Sequence, residues 1–176
     1  AAEAAEVVAA AATAEFPVPA AVKALTPGEV EIVFLGTGSA QPAKYRNVSG
    51  IFLDQPARGS MFIETGEGSY GQLRRSYGEE GADEALKRLR CIWVSHIHAD
   101  HHVGLPRILA ARRALLGGDA APTLTVIGPR PLRRFLELYE TVEPLAMHFV
   151  DCLEVHESVW DGVSGGVLGG GGGGGT

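Results

Sequence analysis

Only two cysteines, Cys91 and Cys152, occur in the 176 residues. That excludes a disulfide framework, and neither has the C-x-x-C spacing of a thiolate zinc site. Cys91 stands in the run Cys91-Ile92-Trp93-Val94 and reads as a buried structural thiol. No apolar run approaches the roughly 18 residues of a membrane span, so no membrane partner is expected. The alanine-rich lead-in, residues 1–28, lacks the basic start of a secretory signal and the arginines of a mitochondrial transit segment. A first residue other than Met is what an excised piece of a longer protein would show. Residues 137–161 contain seven acids and no Lys or Arg, whereas residues 32–136 hold 14 bases and nine acids. The middle of an acidic chain can therefore face a polyanion. Gly36-Thr37-Gly38-Ser39 is not followed by Gly-Lys-Ser/Thr, so it is no phosphate-binding loop, and a dinucleotide fingerprint is also missing. Residues 161–176 are almost all small and rich in glycine, with little to bury and much backbone entropy to lose. A disordered tail is expected there.

Between these ends, residues 29–160, lies one domain with enough apolar residues for a core. Short apolar runs predict strands over 30–35, 48–53, 60–65, 91–94, 124–127 and 147–150. Pro56 and Gly59 predict a hairpin between the second and third. Helical spacing predicts helices over 69–75, 82–89, 104–116 and 131–139. Strands come first and then alternate with helices, which gives an α+β class.

Histidine is scarce and clustered: four of the six lie in Ser95-His96-Ile97-His98-Ala99-Asp100-His101-His102. The segment follows an apolar strand, so it is expected on a loop at that strand's carboxyl end, where α/β sheets gather ligands. His96 through His101 read H-x-H-x-D-H. Neighbouring imidazoles repel if charged and need partners if neutral, so their density calls for something that gathers them. Two imidazoles two residues apart can turn towards one ion, and Asp100 with His101 towards a second. Zinc accepts both donor types, with manganese as the alternative. Two ions roughly 3.5–4 Å apart can clamp a phosphodiester. The other later histidines, His148 and His156, read as structural or surface residues.

The run His96–Gly104 resembles the signature of the metallo-β-lactamase superfamily. Residues 34–53 (FLGTGSAQPAKYRNVSGIFL), 59–78, 89–109 and 131–152 resemble ribonuclease Z, the tRNA 3'-processing endonuclease, in the carboxyl half of its long form. The resemblance implies a metallo-β-lactamase αββα sandwich, of which this chain holds the amino-terminal half. It implies a zinc enzyme with two ions that removes the 3' trailer of precursor tRNA by hydroxide attack and leaves a 3'-hydroxyl. His96 and His98 match ligands of the first ion, and Asp100 and His101 those of the second. Asp100 also matches the residue that orients the attacking hydroxide and is the expected catalytic residue. Glu64 stands where the family more often has Asp, before a Gly66-Glu67-Gly68 element beside the metals. Glu64, Gly66, Glu67, Gly68 and His102 are thus supporting candidates, and Lys44 and Arg46 are candidates for RNA phosphate contact. The implied compartment is intracellular, without distinction among nucleus, mitochondrion and plastid, and oligomeric state is left open.

The resemblance also implies ligands that this sequence does not match: a third histidine, a bridging aspartate, a last histidine and a late histidine that protonates the leaving oxygen. The chain alone is therefore expected to be inactive or nearly so. Two alternatives stand beside this reading. One is another hydrolase of the superfamily; the other is a non-catalytic RNA-binding or scaffold module.

Overall fold

The computed structural model describes Thr26 and residues 28–153. Six strands form one sheet in sequence order: β1 (Glu31–Gly36), β2 (Gly50–Gln55), β3 (Gly59–Thr65), β4 (Leu89–Trp93), β5 (Leu124–Gly128) and β6 (Met147–Asp151). The first three are antiparallel and the last three run parallel to β3. This change follows from the connections. A loop over residues 37–49 joins β1 to β2 and a short turn joins β2 to β3, whereas helices carry the chain back between the later strands. The helices are α1 (Ser69–Lys87), α2 (Ala99–His102), α3 (Leu105–Leu115) and α4 (Arg130–Glu140).

Register turns the period-two alternation of the strands into rows across the sheet. Val33, Phe52, Phe62, Ile92, Val126 and Phe149 lie side by side in one row. They meet Leu73, Ala82, Leu86, Leu105, Ile108 and Leu136 from α1, α3 and α4 in a single core. The Phe52 and Phe62 rings pack tilted, with centroids 5.0 Å apart. The opposite face carries the row Phe34, Ile51, Ile63, Trp93, Ile127 and Val150. None of these belongs to the core, and Phe34 is 65% exposed. Among the described residues, helices therefore cover one face of the sheet and leave an apolar face open. Sheet plus helices is one half of the four-layer αββα arrangement expected from the sequence.

Three boundaries differ from the sequence expectation. Residues 69–87 are the two expected helical stretches, but they meet at a kink at Gly78 (φ 72°, ψ 179°) rather than across a linker over 76–81. Glycine takes that left-handed conformation without a Cβ penalty, so the chain kinks and resumes. Leu89 leaves the helix because its backbone pairs with Ser60 at the start of β4. The second strand begins at Gly50 rather than Val48, since Val48 instead makes an isolated bridge to Gly38. Cys91 is half-buried, not buried, and that partial burial pushes its thiol pKa up. His148 is exposed on the edge strand β6. Most of the alanine-rich lead-in, all of residues 161–176, and His156 lie outside the described residues.

The two faces predict opposite mutational costs. Phe62→Ala should destabilise the fold by about 3–5 kcal/mol, because the ring is fully buried. Phe34→Ser should stay within about 0.5 kcal/mol of the native chain. Urea denaturation of both variants checks the assignment of core and open faces.

Candidate metal centre

The site lies at the carboxyl ends of β3 and β4, where the sheet ends and α2 and α3 begin. Residues 96–98 form a bend, and Ala99–His102 make one turn of helix. The expected loop is thus half loop and half helix. That turn brings His101 back over His96, with ring centroids 4.1 Å apart.

Two glycines make the approach possible. Gly104 donates its N–H to the Thr65 carbonyl at 2.9 Å, and Gly66 donates to Ser49 at 2.8 Å. A Cβ on Gly104 would stand 2.8 Å from the Thr65 oxygen. A Cβ on Gly66 would collide with the Asp100 carbonyl and would stand 2.5 Å from Val48 Cγ2. The end of β3 can therefore lie against the H-x-H-x-D-H segment only where side chains are absent. Gly68, at φ 79°, caps the start of α1, where left-handed backbone again favours glycine. These are the roles of Gly66 and Gly68: they shape the site and bring no donor.

The donor atoms meet in two pairs. His96 Nε2 lies 3.0 Å from His98 Nδ1, and Asp100 Oδ2 lies 3.4 Å from His101 Nε2. Two donors on one tetrahedral zinc, each about 2.0–2.1 Å from it, stand about 3.3 Å apart. Both pairs are close to that spacing, and their chemistry suits a borderline ion. Among the described residues, no three His, Cys, Asp or Glu side chains form a group that could hold an ion. The residues fit a metal as pairs, each half of a tetrahedral shell.

Neighbouring groups fix these donors. The Ser95 hydroxyl lies 2.8 Å from His96 Nδ1, leaving Nε2 turned towards His98. The Ala40 N–H donates to Asp100 Oδ2 at 2.7 Å. That bond holds the Asp100 carboxyl below the usual carboxylate range, against the opposing effect of burial, with smaller help from His101 and His98. Glu64 is buried and sits at φ 62°, a region that non-glycine residues rarely adopt. Its carboxylate accepts the Ser95 N–H at 3.2 Å and lies 3.3 Å from His101 Nδ1. His101 Nδ1 is buried without a well-aligned hydrogen bond, so the ring is held by proximity to this carboxylate. His102 turns away from the donors. Its Nδ1–H donates to the His98 carbonyl at 2.9 Å and its ring packs edge-on against Phe135, centroids 5.0 Å apart. Glu67 is exposed at the mouth of a cavity of about 80 Å³ that Asp100 also lines.

Lys44 and Arg46 stand on an exposed loop beside a cleft of about 440 Å³, which Phe34, Tyr45 and Arg75 also line. Tyr45 is 89% exposed with the Lys44 ammonium over its ring. Sequence reasoning missed Arg75, Ser95 and the Ala40 N–H. The last has no side-chain signature at all, because a backbone amide serves from any residue.

A family model described as anti-Pycsar protein Apyc1 matches residues 30–128, more than half of the chain. The chain is 56% identical over 138 residues to "tRNase Z TRZ3, mitochondrial" of Arabidopsis thaliana, a match covering 78% of this chain and 16% of that protein. The crystal structure of a long-form RNase Z from yeast superposes with a TM-score of 0.65 at 27% identity, covering 80% of this chain and 20% of that one. The chain belongs to the Apyc1 family and, by these relatives, to the ribonuclease Z family of the metallo-β-lactamase superfamily. A Bacillus subtilis protein of metallo-β-lactamase fold, 17% identical with a TM-score of 0.52 over 69% of this chain and 45% of that one, shares the fold alone. This ribonuclease Z family chain spans about a sixth of the length of the Arabidopsis relative.

The glycine contacts give a direct test. Gly66→Ala should destabilise the fold by about 2 kcal/mol or more, since backbone oxygen must move. Gly71→Ala, in α1 with nothing near its added Cβ, should stabilise by about 0.5–1 kcal/mol. Urea denaturation midpoints of the two variants should move in opposite directions.

Proposed function

We propose that this chain carries one wall of a two-zinc phosphodiesterase centre that removes the 3' trailer of precursor tRNA and leaves a 3'-hydroxyl on the tRNA. The observation that carries the reading is the pairing of His96 with His98 and of Asp100 with His101 at ligand spacing. The first pair would hold one ion and the second pair the other, with manganese as the alternative metal. Zinc, when bound, supplies a Lewis acid and draws the pKa of bound water towards neutrality. Asp100, whose carboxyl the Ala40 N–H holds below the usual carboxylate range, would orient the attacking hydroxyl. Glu64 steadies the His101 ring, and His102 locks the turn that carries all four donors. Lys44 and Arg46 form no ion pair among the described residues, so they are available to RNA phosphates. The name of the 56%-identical relative, a tRNase Z, supports the substrate class.

Four donors in two pairs do not close two metal shells, and the described residues offer no proton donor for the leaving oxygen. The 176-residue chain by itself is therefore expected to cleave precursor tRNA at or near background. The non-catalytic RNA-binding reading draws on the exposed Tyr45 among unpaired cations. One experiment separates the two. Residues 30–152 of this chain replace the matching segment of the Arabidopsis relative, and the chimaera is assayed for precursor-tRNA cleavage and zinc content. The proposal expects cleavage, loss of about a thousandfold or more in rate with Asp100→Ala, and reduced zinc in the same variant. A folded chimaera that binds precursor tRNA but does not cut it, or an Asp100→Ala form that cuts normally, supports the non-catalytic reading instead.

A further inference from the structure

A second cluster of cations sits at the opposite end of the same strands. Arg58 in the β2–β3 turn, Lys87 and Arg88 at the end of α1, Arg90 on β4 and Arg112 on α3 line one cavity of about 280 Å³, closed on one side by Pro122. No acidic side chain lines it. Two of the five cations are neutralised from outside the cavity: Arg88 by Asp54 at 2.8 Å and Lys87 by Glu84 at 2.8 Å. Glu29 and Asp83 act on Arg58 and Lys87 at longer range. Arg90 and Arg112 have no ion-pair partner among the described residues.

Arg112 is the unusual member. It is only 6% exposed, yet no carboxylate accompanies it. Its Nη1 donates to the Pro122 carbonyl at 2.8 Å, but its Nε is buried without an acceptor. Burial, and then the charge of Arg90, lower its proton affinity. A buried cation with a like-charged neighbour and an orphan donor is costly to keep unless an anion completes it. The carboxyl ends of α1 and α3 supply some compensation, but each helix end amounts to only about half a charge. That leaves the arginines undercompensated.

We propose that this cavity is a binding site for a phosphate-class oxyanion, anchored by Arg112 and Arg90, with Arg58 also in its lining. A tetrahedral oxyanion offers several acceptors, which matches guanidinium donors converging from the turn, the strand and the helix. The site is distinct from the metal centre. Gly59 at the start of β3 borders the cavity and Glu64 near its end faces His101, so the two lie about 17 Å apart along the strand. The proposal does not rest on the metal reading.

Isothermal titration of the 176-residue chain with inorganic phosphate at constant ionic strength tests it. The native chain should bind phosphate. Arg90→Ala, an exposed position whose loss the fold should tolerate, should weaken binding by about tenfold or more. Arg112→Met should abolish binding while raising the melting temperature in phosphate-free buffer, because an unpaired buried charge is removed. Arg134→Ala, an exposed position on α4 remote from the cavity lining, should bind phosphate as the native chain does. A short single-stranded RNA that displaces phosphate identifies the source as a nucleic-acid backbone; failure to displace it points to a small phosphorylated molecule. No phosphate binding at millimolar concentration, or binding unchanged in Arg90→Ala, overturns the proposal.

Discussion

The geometry of the metal centre depends on one steric constraint: the end of β3 must cross the H-x-H-x-D-H segment backbone to backbone. Gly66 meets the Asp100 carbonyl there, and Gly104 meets the Thr65 and Gly66 carbonyls. The Gly104 N–H fastens the crossing by donating to Thr65. Close contact sets where α2 starts, and the single turn of α2 folds His101 back over His96. Without the crossing, the four donors would lie along an extended loop and face separate directions. The sheet holds the crossing in place from below, since Thr65 ends a strand locked on both sides by β2 and β4.

Electrostatics then decides how the gathered groups coexist. Several imidazoles in contact would repel if charged, and neutral rings still need partners. Ser95, the His98 carbonyl and Phe135 occupy the outward atoms and faces of His96 and His102. Glu64 and Asp100 bring negative charge to opposite nitrogens of His101. The left-handed backbone of Glu64 is a cost tolerated at that point because its carboxylate also receives the Ser95 N–H just beyond β4. The inward nitrogens of His96 and His98 are left facing each other, which is the arrangement an ion between them would use.

Much of the fold was legible because short apolar runs bounded by Gly and Pro mark strands, as in Gly50–Gln55 and Gly59–Thr65. The hairpin between them followed from Pro56 and Gly59. The helix break was harder to place: residues 76–81 look like a linker, but only Gly78 leaves helical geometry. The candidate donors could be proposed from sequence because metal chemistry demands particular residue types at fixed spacing. Their supports were less so. Ala40 acts through its amide, Arg75 joins a cleft from a distant helix, and Arg112 is an ordinary amphipathic-helix arginine until its burial is seen. Resemblance to ribonuclease Z suggested a role for Asp100, while only the structure showed that the four candidate donors lie as two pairs.

The central claim is that these pairs, and no thiol, receive zinc. X-ray absorption at the zinc edge of the zinc-loaded 176-residue chain measures this directly. The account predicts a shell of nitrogen and oxygen at about 2.0–2.1 Å with an imidazole signature that His96→Ala/His98→Ala diminishes. A sulfur shell at about 2.3 Å, which would assign the ion to Cys91 or Cys152, or a spectrum unchanged in that double variant, would contradict it.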